Sequence, residues 1–437
     1  MEKLLKKIKT FIPKTLFIAI QPLYHYVLAG VGAVRYNFPS RHLYVVGVTG
    51  TKGKTSVTEI TAAILEEAGY RVALANTNRF SIAGQSEKNM TKRSMLGRTR
   101  LQQFLRKAVD AQCTYAVVEM TSEGAKQYRH AFIDLDALIF TNLSPEHIES
   151  HGSYANYVDA KVMLARALEQ GNAPAHTIVA NRDDAEAEKF LSVSVGTTLP
   201  YGIDDARPFA TTTDGGEMLW HGEPIHLKLP GEFNIMNALA SATFALSRNV
   251  SIEIIKNALE KFTLIPGRME RIDEGQNFSV IVDYAHTADS LDRAYKVYAG
   301  VKKVCILGGT GGGRDIAKRK VMGEIADTHC EHIILTTEDP YDEDPENIAN
   351  DVAAGITNHS HEFILDRREA IRKAFHRAEK GSVVFITGKG AGPYIMGPRG
   401  ARIPWSDAGV AHEELVKLKL DGEEAFSLSE KLSNTLA

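Results

Sequence analysis

Short runs of consecutive apolar residues alternate with longer stretches of helical periodicity from Leu43 onwards. The runs LYVVGVTG, YAVVEM and ALIFTNL each lead into glycine or polar residues, and SVTEITAAILEEAG predicts a helix that ends at Gly69. Unbroken apolar runs are typical of strands that helices cover on both faces of a parallel sheet. Ligands bind at the carboxyl ends of such strands. The pattern therefore predicts an α/β fold with a mainly parallel sheet.

A second series of apolar runs begins after Pro266. Its four runs are SVIVDYAH, KVCILGG, HIILTTEDP and SVVFITGKG, and helical stretches such as AKRKVMGEIAD separate them. This alternation predicts a second doubly wound, Rossmann-like unit with a boundary near residues 265–268. A chain of 437 residues also exceeds the size of a single core. We therefore predict a short helical segment over residues 1–42, a central domain over 43–265 and a C-terminal domain over 266–437.

Charge and cysteine usage exclude several classes of protein. The net charge is −3, from 51 basic and 54 acidic residues, so no overall field favours nucleic acid and we expect no nucleic-acid partner. Cys113, Cys305 and Cys330 show no paired metal-ligand spacing, and their odd number suits a reducing cytosol. The sequence thus predicts neither structural zinc nor a disulfide framework.

A glycine-rich turn between the first predicted strand and its helix has the features of a phosphate-binding loop. Backbone N–H groups released by glycine can face phosphate oxygens, and the helix N-terminus adds partial positive charge. Lys54 would reach the terminal phosphates, and Thr55 could hold Mg²⁺. The longer form of this motif would have glycine at position 48, where this chain has Val48. The predicted ATP-binding residues of the turn are Gly50, Thr51, Lys52, Gly53, Lys54, Thr55 and Ser56.

Further blocks follow this turn in a specific order. They are EMTSEGAKQYR (119–129), TNLSPEHIESHGSYANYVDAK (141–161), PGEFNIMNALA (230–240), PGRMERI (266–272), VDYAHTADSL (282–291), DRREAI (366–371) and GKG (388–390). With the GTKGKTS turn, this series resembles the Mur ligases of peptidoglycan synthesis, and within that family the MurE branch, which adds the third amino acid to a UDP-MurNAc-dipeptide. The resemblance covers residues 43 to about 410.

The resemblance implies a P-loop ATPase as the central domain and a Rossmann-like C-terminal domain that delivers an amino acid. The reaction it implies is ATP-dependent amide formation through an acyl-phosphate, in cell wall biogenesis and the maintenance of cell shape. Only about 42 residues precede the first strand, which is too few for the family's uridine-binding domain. Two alternatives remain, a folylpolyglutamate- or cyanophycin-type ligase that acts on another carboxylate, and a non-catalytic nucleotide-binding module.

Roles for individual residues also follow from the resemblance. It implies that Glu119, His147 and a carbamylated Lys161 bind Mg²⁺ with Thr55, and that Arg268 meets the γ-phosphate. Together with Lys54, these are the predicted catalytic residues. The resemblance places the adenine and ribose of ATP at Asn234, Asn237 and Asp283.

The two other substrates, a muropeptide precursor and an amino acid, have predicted contacts of their own. Thr91, Thr121, Ser122 and Arg129 would hold the donor, although Glu123 stands where the family has histidine. Arg314 and Arg367 are candidates for the carboxylate of the amino acid. Tyr341 replaces the arginine of diaminopimelate enzymes, Asp339 replaces an asparagine and Gly392 replaces a glutamate. The pair Glu338 and Asp339 would favour a cationic side chain such as lysine.

The N-terminal segment bears on location. Residues 15–34 contain no Asp, Glu, Lys or Arg and reach membrane-spanning length, but Gln21, Pro22 and His25 interrupt them. A span with the preceding lysines held inside would place the rest of the chain outside the cell, where an ATP-dependent enzyme has no substrate. We therefore predict a cytoplasmic protein whose N-terminal helix packs on the catalytic body, with peripheral membrane contact as a secondary hypothesis.

Overall fold

The computed structural model describes residues 14–146, 148–170, 175–313 and 316–420, and the chain divides into two compact units. The first unit comprises residues up to Ala210, Gly216–Lys228 and Glu232–Phe262, and the second comprises Thr211–Gly215, Leu229–Gly231 and residues from Thr263 onwards. The predicted division at residues 42/43 and 265/266 remains a prediction.

The first unit is built on an eight-stranded sheet of order β4-β3-β2-β5-β1-β6-β7-β8. Its strands are β1 (Tyr44–Thr49), β2 (Val72–Ala75), β3 (Arg79–Ile82), β4 (Gln85–Lys88), β5 (Tyr115–Glu119), β6 (Ala137–Phe140), β7 (Thr177–Asn181) and β8 (Thr197–Tyr201). All neighbours pair in parallel except β2 with β3 and β3 with β4. The central strands are fully buried, as the unbroken apolar runs predict. The mainly parallel α/β prediction is confirmed.

Helices and a small antiparallel sheet complete this unit. The helices are α1 (Lys14–Arg35), α2 (Lys54–Glu67), α3 (Arg98–Asp110), α4 (Ser122–Lys126), α5 (Ile148–His151), α6 (Tyr154–Arg166), α7 (Glu188–Leu191), α8 (Glu232–Ser247) and α9 (Ile252–Lys261). The small sheet has the order β11-β10-β9, with β9 (Phe209–Thr211), β10 (Gly216–Trp220) and β11 (Glu223–Leu227). Phe140 and Phe190 stack in the core with ring centroids 3.9 Å apart, and burying each contributes roughly 1.5–3 kcal/mol.

The N-terminal helix α1 packs on α3 and on the turn around Phe132. Ala29 and Ala33 are buried there. A Cβ at Gly32 would lie 3.1 Å from the Thr99 Cα, so a small residue permits this close approach. Within the described residues, no helix combines the length and apolarity that crossing a membrane requires.

The second unit contains a six-stranded sheet of order β12-β13-β17-β14-β15-β16, parallel except at β12. Its strands are β12 (Glu270–Ile272), β13 (Ser279–Asp283), β14 (Lys303–Leu307), β15 (His332–Thr336), β16 (His361–Ile364) and β17 (Val383–Thr387), followed by a hairpin of β18 (Tyr394–Met396) and β19 (Arg402–Pro404). The helices are α10 (Ala288–Val297), α11 (Ile316–His329), α12 (Pro345–Ala353), α13 (Arg367–Arg377) and α14 (407–420). The four predicted strands correspond to β13, β14, β15 and β17.

The prediction that the chain forms no disulfide is wrong. Cys305 in β14 and Cys330, just before the neighbouring strand β15, are joined with their Cα atoms 6.0 Å apart. They are separated by 25 residues, and only the pairing of β14 with β15 brings them within bonding reach. Cys113 is a free, buried thiol.

Candidate active site

The phosphate-binding turn connects β1 to α2, as the sequence predicts. Gly50 and Gly53 have φ values of 147° and 82°, which favour glycine. A Cβ at Gly50 would lie 1.9 Å from the Thr141 Oγ1, and one at Gly53 would lie 2.5 Å from the Asn237 Oδ1. The turn therefore tolerates no side chain at either position, and α2 begins immediately after it at Lys54.

Two lysines from distant parts of the sequence meet at this turn. The Lys54 Nζ donates to the carbonyl oxygens of Gly50 and Thr51, at 3.0 and 2.8 Å. The Lys161 Nζ, from α6, donates to the same Gly50 carbonyl at 2.6 Å and is buried. Lys161 therefore contacts the phosphate-binding turn, and the structure brings these two predicted site features together.

Burial lowers the pKa of Lys161 well below the ordinary value for lysine, and the nearby Lys54 ammonium lowers it further. Glu146 and Glu119 act in the opposite direction, but their effects are smaller. The lowered pKa favours the neutral form of this amine, and a neutral amine is a nucleophile.

Glu119 lies at the carboxyl end of β5, beside the start of α2. Its Oε2 accepts from the Thr55 Oγ1 at 3.0 Å, from the Thr77 N–H at 2.9 Å and from the Thr77 Oγ1 at 2.8 Å. The carboxylate is buried. A carboxylate and a hydroxyl at this separation supply hard oxygen ligands, the chemistry that Mg²⁺ prefers. Thr55 and Glu119 therefore fit a magnesium site next to the phosphate-binding turn.

Three further residues hold this site, and the sequence did not predict their roles. Thr77 orients Glu119, and it lies in the turn between β2 and β3, where no motif marks it. The Asn142 Oδ1 accepts from the Lys52 N–H at 2.9 Å, which fixes the backbone of the turn. Glu146 forms an ion pair with the Lys52 Nζ at 3.2 Å. Asn142 and Glu146 belong to the block at 141–161, so membership of that block is the signal that could have identified them.

The predicted adenine contacts also lie beside the turn. Asn234 and Asn237 occupy the start of α8 and are buried. The Asn237 Nδ2 donates to the Asn234 Oδ1 at 3.1 Å, so each orients the other. Because Asn237 also faces Gly53, this pair borders the phosphate-binding turn within the first unit. Their contact with a nucleotide remains a prediction.

The predicted donor residues follow β5 or lie in the loop between β4 and α3. Thr121 caps α4 by accepting from the Gly124 N–H at 3.0 Å, and Ser122 is buried. The Thr91 Oγ1 donates to the Asn89 Oδ1 at 2.6 Å. The Arg129 guanidinium donates to the Met95 carbonyl at 2.8 Å and to the Gln127 Oε1 at 2.9 Å.

Two predicted nucleotide residues lie in the second unit. The Arg268 guanidinium carbon stands 4.4 Å from the centroid of the Tyr284 ring. The Asp283 carboxylate accepts from the N–H groups of Met269 and Ala285, both at 2.7 Å, which ties the PGRMERI segment to the end of β13. A Cβ at Gly267 would lie 2.1 Å from the Ala391 nitrogen, so this segment packs closely on the GKG turn.

One residue of the acidic pair predicted to contact the amino acid forms an ion pair within the protein instead. The Asp339 Oδ1 pairs with the Lys389 Nζ at 2.6 Å and accepts from the Met396 N–H. Burial raises the pKa of Glu338, and Asp339 raises it further. The Glu338 Oε2 is buried with no hydrogen-bond partner among the described residues. The predicted preference for a cationic side chain would therefore depend on Glu338, because Lys389 already compensates Asp339.

Arg367 requires a correction. Its guanidinium is buried, pairs with Asp407 at 2.7 and 2.8 Å and donates to the Thr387 carbonyl at 2.8 Å. A side chain engaged in this way has no free face for a substrate, so the structure argues against the predicted contact with an amino-acid carboxylate. His147 and Arg314, two further predicted site residues, lie outside the described residues.

Comparisons with known proteins follow the same two units. A profile of the Mur ligase middle domain matches residues 48–245, and a profile of the "Mur ligase, glutamate ligase domain" matches residues 267–390. The UDP-N-acetylmuramoyl-L-alanyl-D-glutamate–2,6-diaminopimelate ligase of Syntrophomonas wolfei is 35% identical over 383 residues, which cover 84% of this chain and 78% of that protein. The chain belongs to the Mur ligase family. The family prediction and its MurE-type assignment are confirmed.

Solved structures agree with this Mur ligase in fold. A structure titled as a UDP-N-acetylmuramoyl-L-alanyl-D-glutamate–2,6-diaminopimelate ligase has a TM-score of 0.59 and 27% identity, and covers 86% of this chain and 79% of that one. Folylpolyglutamate synthase of Mycobacterium tuberculosis has a TM-score of 0.66 at 17% identity, covering 82% and 91%, which shows a shared fold alone. This Mur ligase is an ATP-dependent enzyme of the class that forms acid–amino-acid bonds in peptidoglycan synthesis.

Proposed function

We propose that this Mur ligase activates the free carboxylate of a UDP-MurNAc-dipeptide-like donor as an acyl-phosphate and joins it to the amine of an amino acid in the cytoplasm, where ATP is available. This proposal rests on the position of four side chains around one glycine turn, those of Lys54, Thr55, Glu119 and Lys161. Two hydrogen bonds to the Gly50 carbonyl and one between Thr55 and Glu119 join them.

The chemistry proceeds in two substitutions. A donor carboxylate oxygen forms a bond to the γ-phosphorus of ATP, and the bond from that phosphorus to ADP breaks. The amine then attacks the acyl carbon, loses a proton, and phosphate leaves with the oxygen that came from the donor. Lys54 offsets the charge that develops on the phosphoryl oxygens, as a fixed cation beside the turn.

Mg²⁺ would be held by Glu119 and Thr55, with Lys161 and His147 as proposed further ligands, and would neutralise charge between the triphosphate and the donor carboxylate. Thr77 keeps the Glu119 carboxylate in place through two hydrogen bonds. Arg268 and Asp283 are proposed to contact ATP, and Arg129 to pair with a donor carboxylate.

We propose further that Lys161 is carbamylated. Its buried Nζ, in the neutral form that the lowered pKa favours, can attack the carbon of CO₂; an N–C bond forms, a C–O π bond opens, and a proton passes from nitrogen to solvent. The product is an anion with one remaining N–H, which can still donate to the Gly50 carbonyl. An anion at this position adds an oxygen ligand for Mg²⁺, whereas the protonated amine would repel it.

Removing CO₂ is expected to lower the activity of the wild-type enzyme, and added bicarbonate should restore it. The substitution Lys161→Ala should lower kcat by about 100-fold or more whatever the bicarbonate concentration. Lys161→Glu should retain more activity and show no bicarbonate dependence. A carbamate signal in NMR spectra after addition of carbon-13 bicarbonate checks the modification directly. Full activity without CO₂, together with no such signal, would contradict the proposal.

The amino acid and donor can be tested by phosphate release. Phosphate release is measured with UDP-MurNAc-dipeptide and one amino acid, either diaminopimelate, lysine or alanine. The same reactions are repeated with the donor or the amino acid left out. The proposed function requires release that depends on both substrates. Release with ATP and an amino acid alone, or with folate-type carboxylates in preference to the muropeptide, would contradict it. Equal rates with lysine and alanine would exclude the predicted cationic side chain.

We propose a peripheral membrane contact through α1. A stripe of apolar side chains on this helix faces solvent, with exposed fractions from 47% for Ile20 to 68% for Val34. The stripe consists of Ile20, Leu23, Val27, Val31 and Val34. Residues 1–14 carry five lysines and one glutamate, a charge that favours an anionic lipid surface over a second copy of this chain.

Binding to vesicles with anionic lipid is expected for the full chain and should weaken at high salt. Combining Leu23→Glu, Val27→Glu and Val31→Glu should reduce the bound fraction at least about tenfold in sedimentation assays, since charges replace the buried apolar face. Leu365→Glu, at an exposed position in the second unit, is the matched control and should bind normally. Equal binding by the triple variant and the control would overturn this contact.

A further inference from the structure

A group of cationic and imidazole side chains lies where α1 meets α3 and the segment after α4. We call His25, Arg93, Arg98 and Arg129 the cationic cluster. Arg98, the first residue of α3, contacts the His25 Nδ1 and donates to the Gln127 carbonyl at 2.9 Å. Arg129 donates to the side chain of the same Gln127. Gln127 therefore holds two guanidinium groups side by side.

Acidic side chains compensate the charge of this cluster only in part. Among the described residues, no carboxylate lies within 4.0 Å of the guanidinium of Arg98 or Arg129, and the groups that accept hydrogen bonds from them are neutral. Glu123 is the nearby acid, and its side chain accepts a hydrogen bond from Gln127. The three arginines of the cluster and the nearby Glu123 together have a formal charge of +2.

Burial, with Arg93 and Arg98 nearby, lowers the pKa of Arg129 to about 10. Burial and the guanidinium groups of Arg98 and Arg129 lower the pKa of His25 to about 4, so its imidazole is neutral at physiological pH and acts as an acceptor for Arg98. Holding like charges together in a half-buried place is unfavourable unless an anion joins them. Arginine forks suit phosphate oxygens, to which they donate two parallel hydrogen bonds.

The cluster is positioned next to the proposed donor side of the site. Its member Arg129 follows α4, whose first residue comes three positions after Glu119. The loop between β4 and α3 carries Thr91, another proposed donor contact; Arg93 lies in the same loop and Arg98 follows it at the start of α3. Donor residues and cluster thus share the same loops of the first unit.

We propose that Arg93 and Arg98 of the cationic cluster bind the diphosphate of the muramyl donor, beside the donor carboxylate at Arg129. Arg98 is the specificity-determining residue, and α1 positions it through His25. A carboxylate carries one charge and needs one guanidinium fork, whereas a diphosphate carries two charges and matches two guanidinium groups. This inference rests on the proposed function, and it gives α1 a part in donor recognition. A nucleotide-linked and a lipid-linked donor share this diphosphate, so both belong to the test.

The experiment compares three donors by steady-state phosphate release: UDP-MurNAc-dipeptide, the same muropeptide on a polyprenyl diphosphate in detergent, and MurNAc-dipeptide without phosphate. Arg98→Ala should raise KM about 10- to 100-fold for whichever diphosphate donor the wild type uses, with kcat changed little, because charge-assisted hydrogen bonds are lost. KM for the phosphate-free donor should stay the same. An equal rise in KM for all donors would overturn the proposal.

Arg100→Ala is the matched control, since this exposed arginine lies two residues along α3 and should leave every KM unchanged. Arg98→Lys keeps the positive charge but lacks the planar guanidinium fork, so its KM should lie between those of the wild type and Arg98→Ala. Arg93→Ala removes an exposed side chain of the cluster and should raise KM several-fold. This variant still tests the site if Arg98→Ala folds poorly.

A binding measurement separates this proposal from the proposed function. Inorganic pyrophosphate is titrated into the full chain with saturating ADP, which occupies the phosphate-binding turn. If no muropeptide supports turnover, wild-type binding that Arg98→Ala weakens at least about tenfold still supports the cluster as a diphosphate site. Equal binding by wild type and Arg98→Ala would overturn it whatever the enzyme's substrate.

Discussion

Lys54→Ala is expected to lower kcat by about 10²–10³-fold, because it removes the cation beside the Gly50 and Thr51 carbonyls where the triphosphate is proposed to bind. ATP binding should weaken as well. The neighbouring Lys161 should become easier to protonate, since the Lys54 ammonium lowers its pKa. Phosphate-release kinetics with donor and amino acid at saturation measure the loss.

The matched control is Lys256→Ala, which removes a lysine of α9 whose Nζ pairs with Glu223 at 3.2 Å on the surface of the same unit. Surface pairs of this kind contribute little, so its kcat and its melting temperature should stay close to those of the wild type. Comparable rates for Lys54→Ala and Lys256→Ala would remove the phosphate-binding turn from the mechanism.

Glu119→Gln is expected to lower kcat by about 100-fold and to raise the Mg²⁺ concentration needed for half-maximal activity. The glutamine oxygen can still accept from Thr55 and Thr77, so the fold and the melting temperature should change little. Only the negative charge is lost, and Mg²⁺ binds a neutral amide more weakly than a carboxylate. Magnesium titrations of the activity, alongside thermal unfolding, separate these effects.

Glu59→Gln provides the opposite pattern as a control. Glu59 is another buried glutamate of this unit, but it pairs with Arg79 at 2.6 Å and accepts from Asn76. Its substitution should lower the free energy of unfolding by about 1–3 kcal/mol and leave the Mg²⁺ dependence unchanged. If Glu119→Gln behaved in the same way, Glu119 would be a structural residue.

The sequence predicts the fold and the phosphate-binding turn well because both depend on local patterns. Unbroken apolar runs identify the buried strands, and the glycine turn before Lys54 has a sterically required spacing. The chain order of the blocks then indicates that Lys161 reaches a turn 111 residues away. Such a long-range contact comes from the resemblance and not from periodicity.

The sequence did not correctly predict features that depend on a partner residue far along the chain. Arg367 has the charge of an anion-binding residue, but Asp407, 40 residues later, buries and neutralises it. Lys389 compensates Asp339 in the same way, across 50 residues. The Cys305–Cys330 bond and the hold of Thr77 on Glu119 likewise exist only once strands are paired. A single sequence shows residue types, whereas compensation of charge requires the folded arrangement.

Transfer of oxygen from the donor to phosphate tests the central claim most directly. The donor carboxylate is labelled with oxygen-18, and the inorganic phosphate released during amide formation is analysed by mass spectrometry. An acyl-phosphate formed at the turn of Lys54, Glu119 and Lys161 predicts one labelled oxygen in each phosphate. Phosphate without label, released at the same rate as the amide product, would contradict the account.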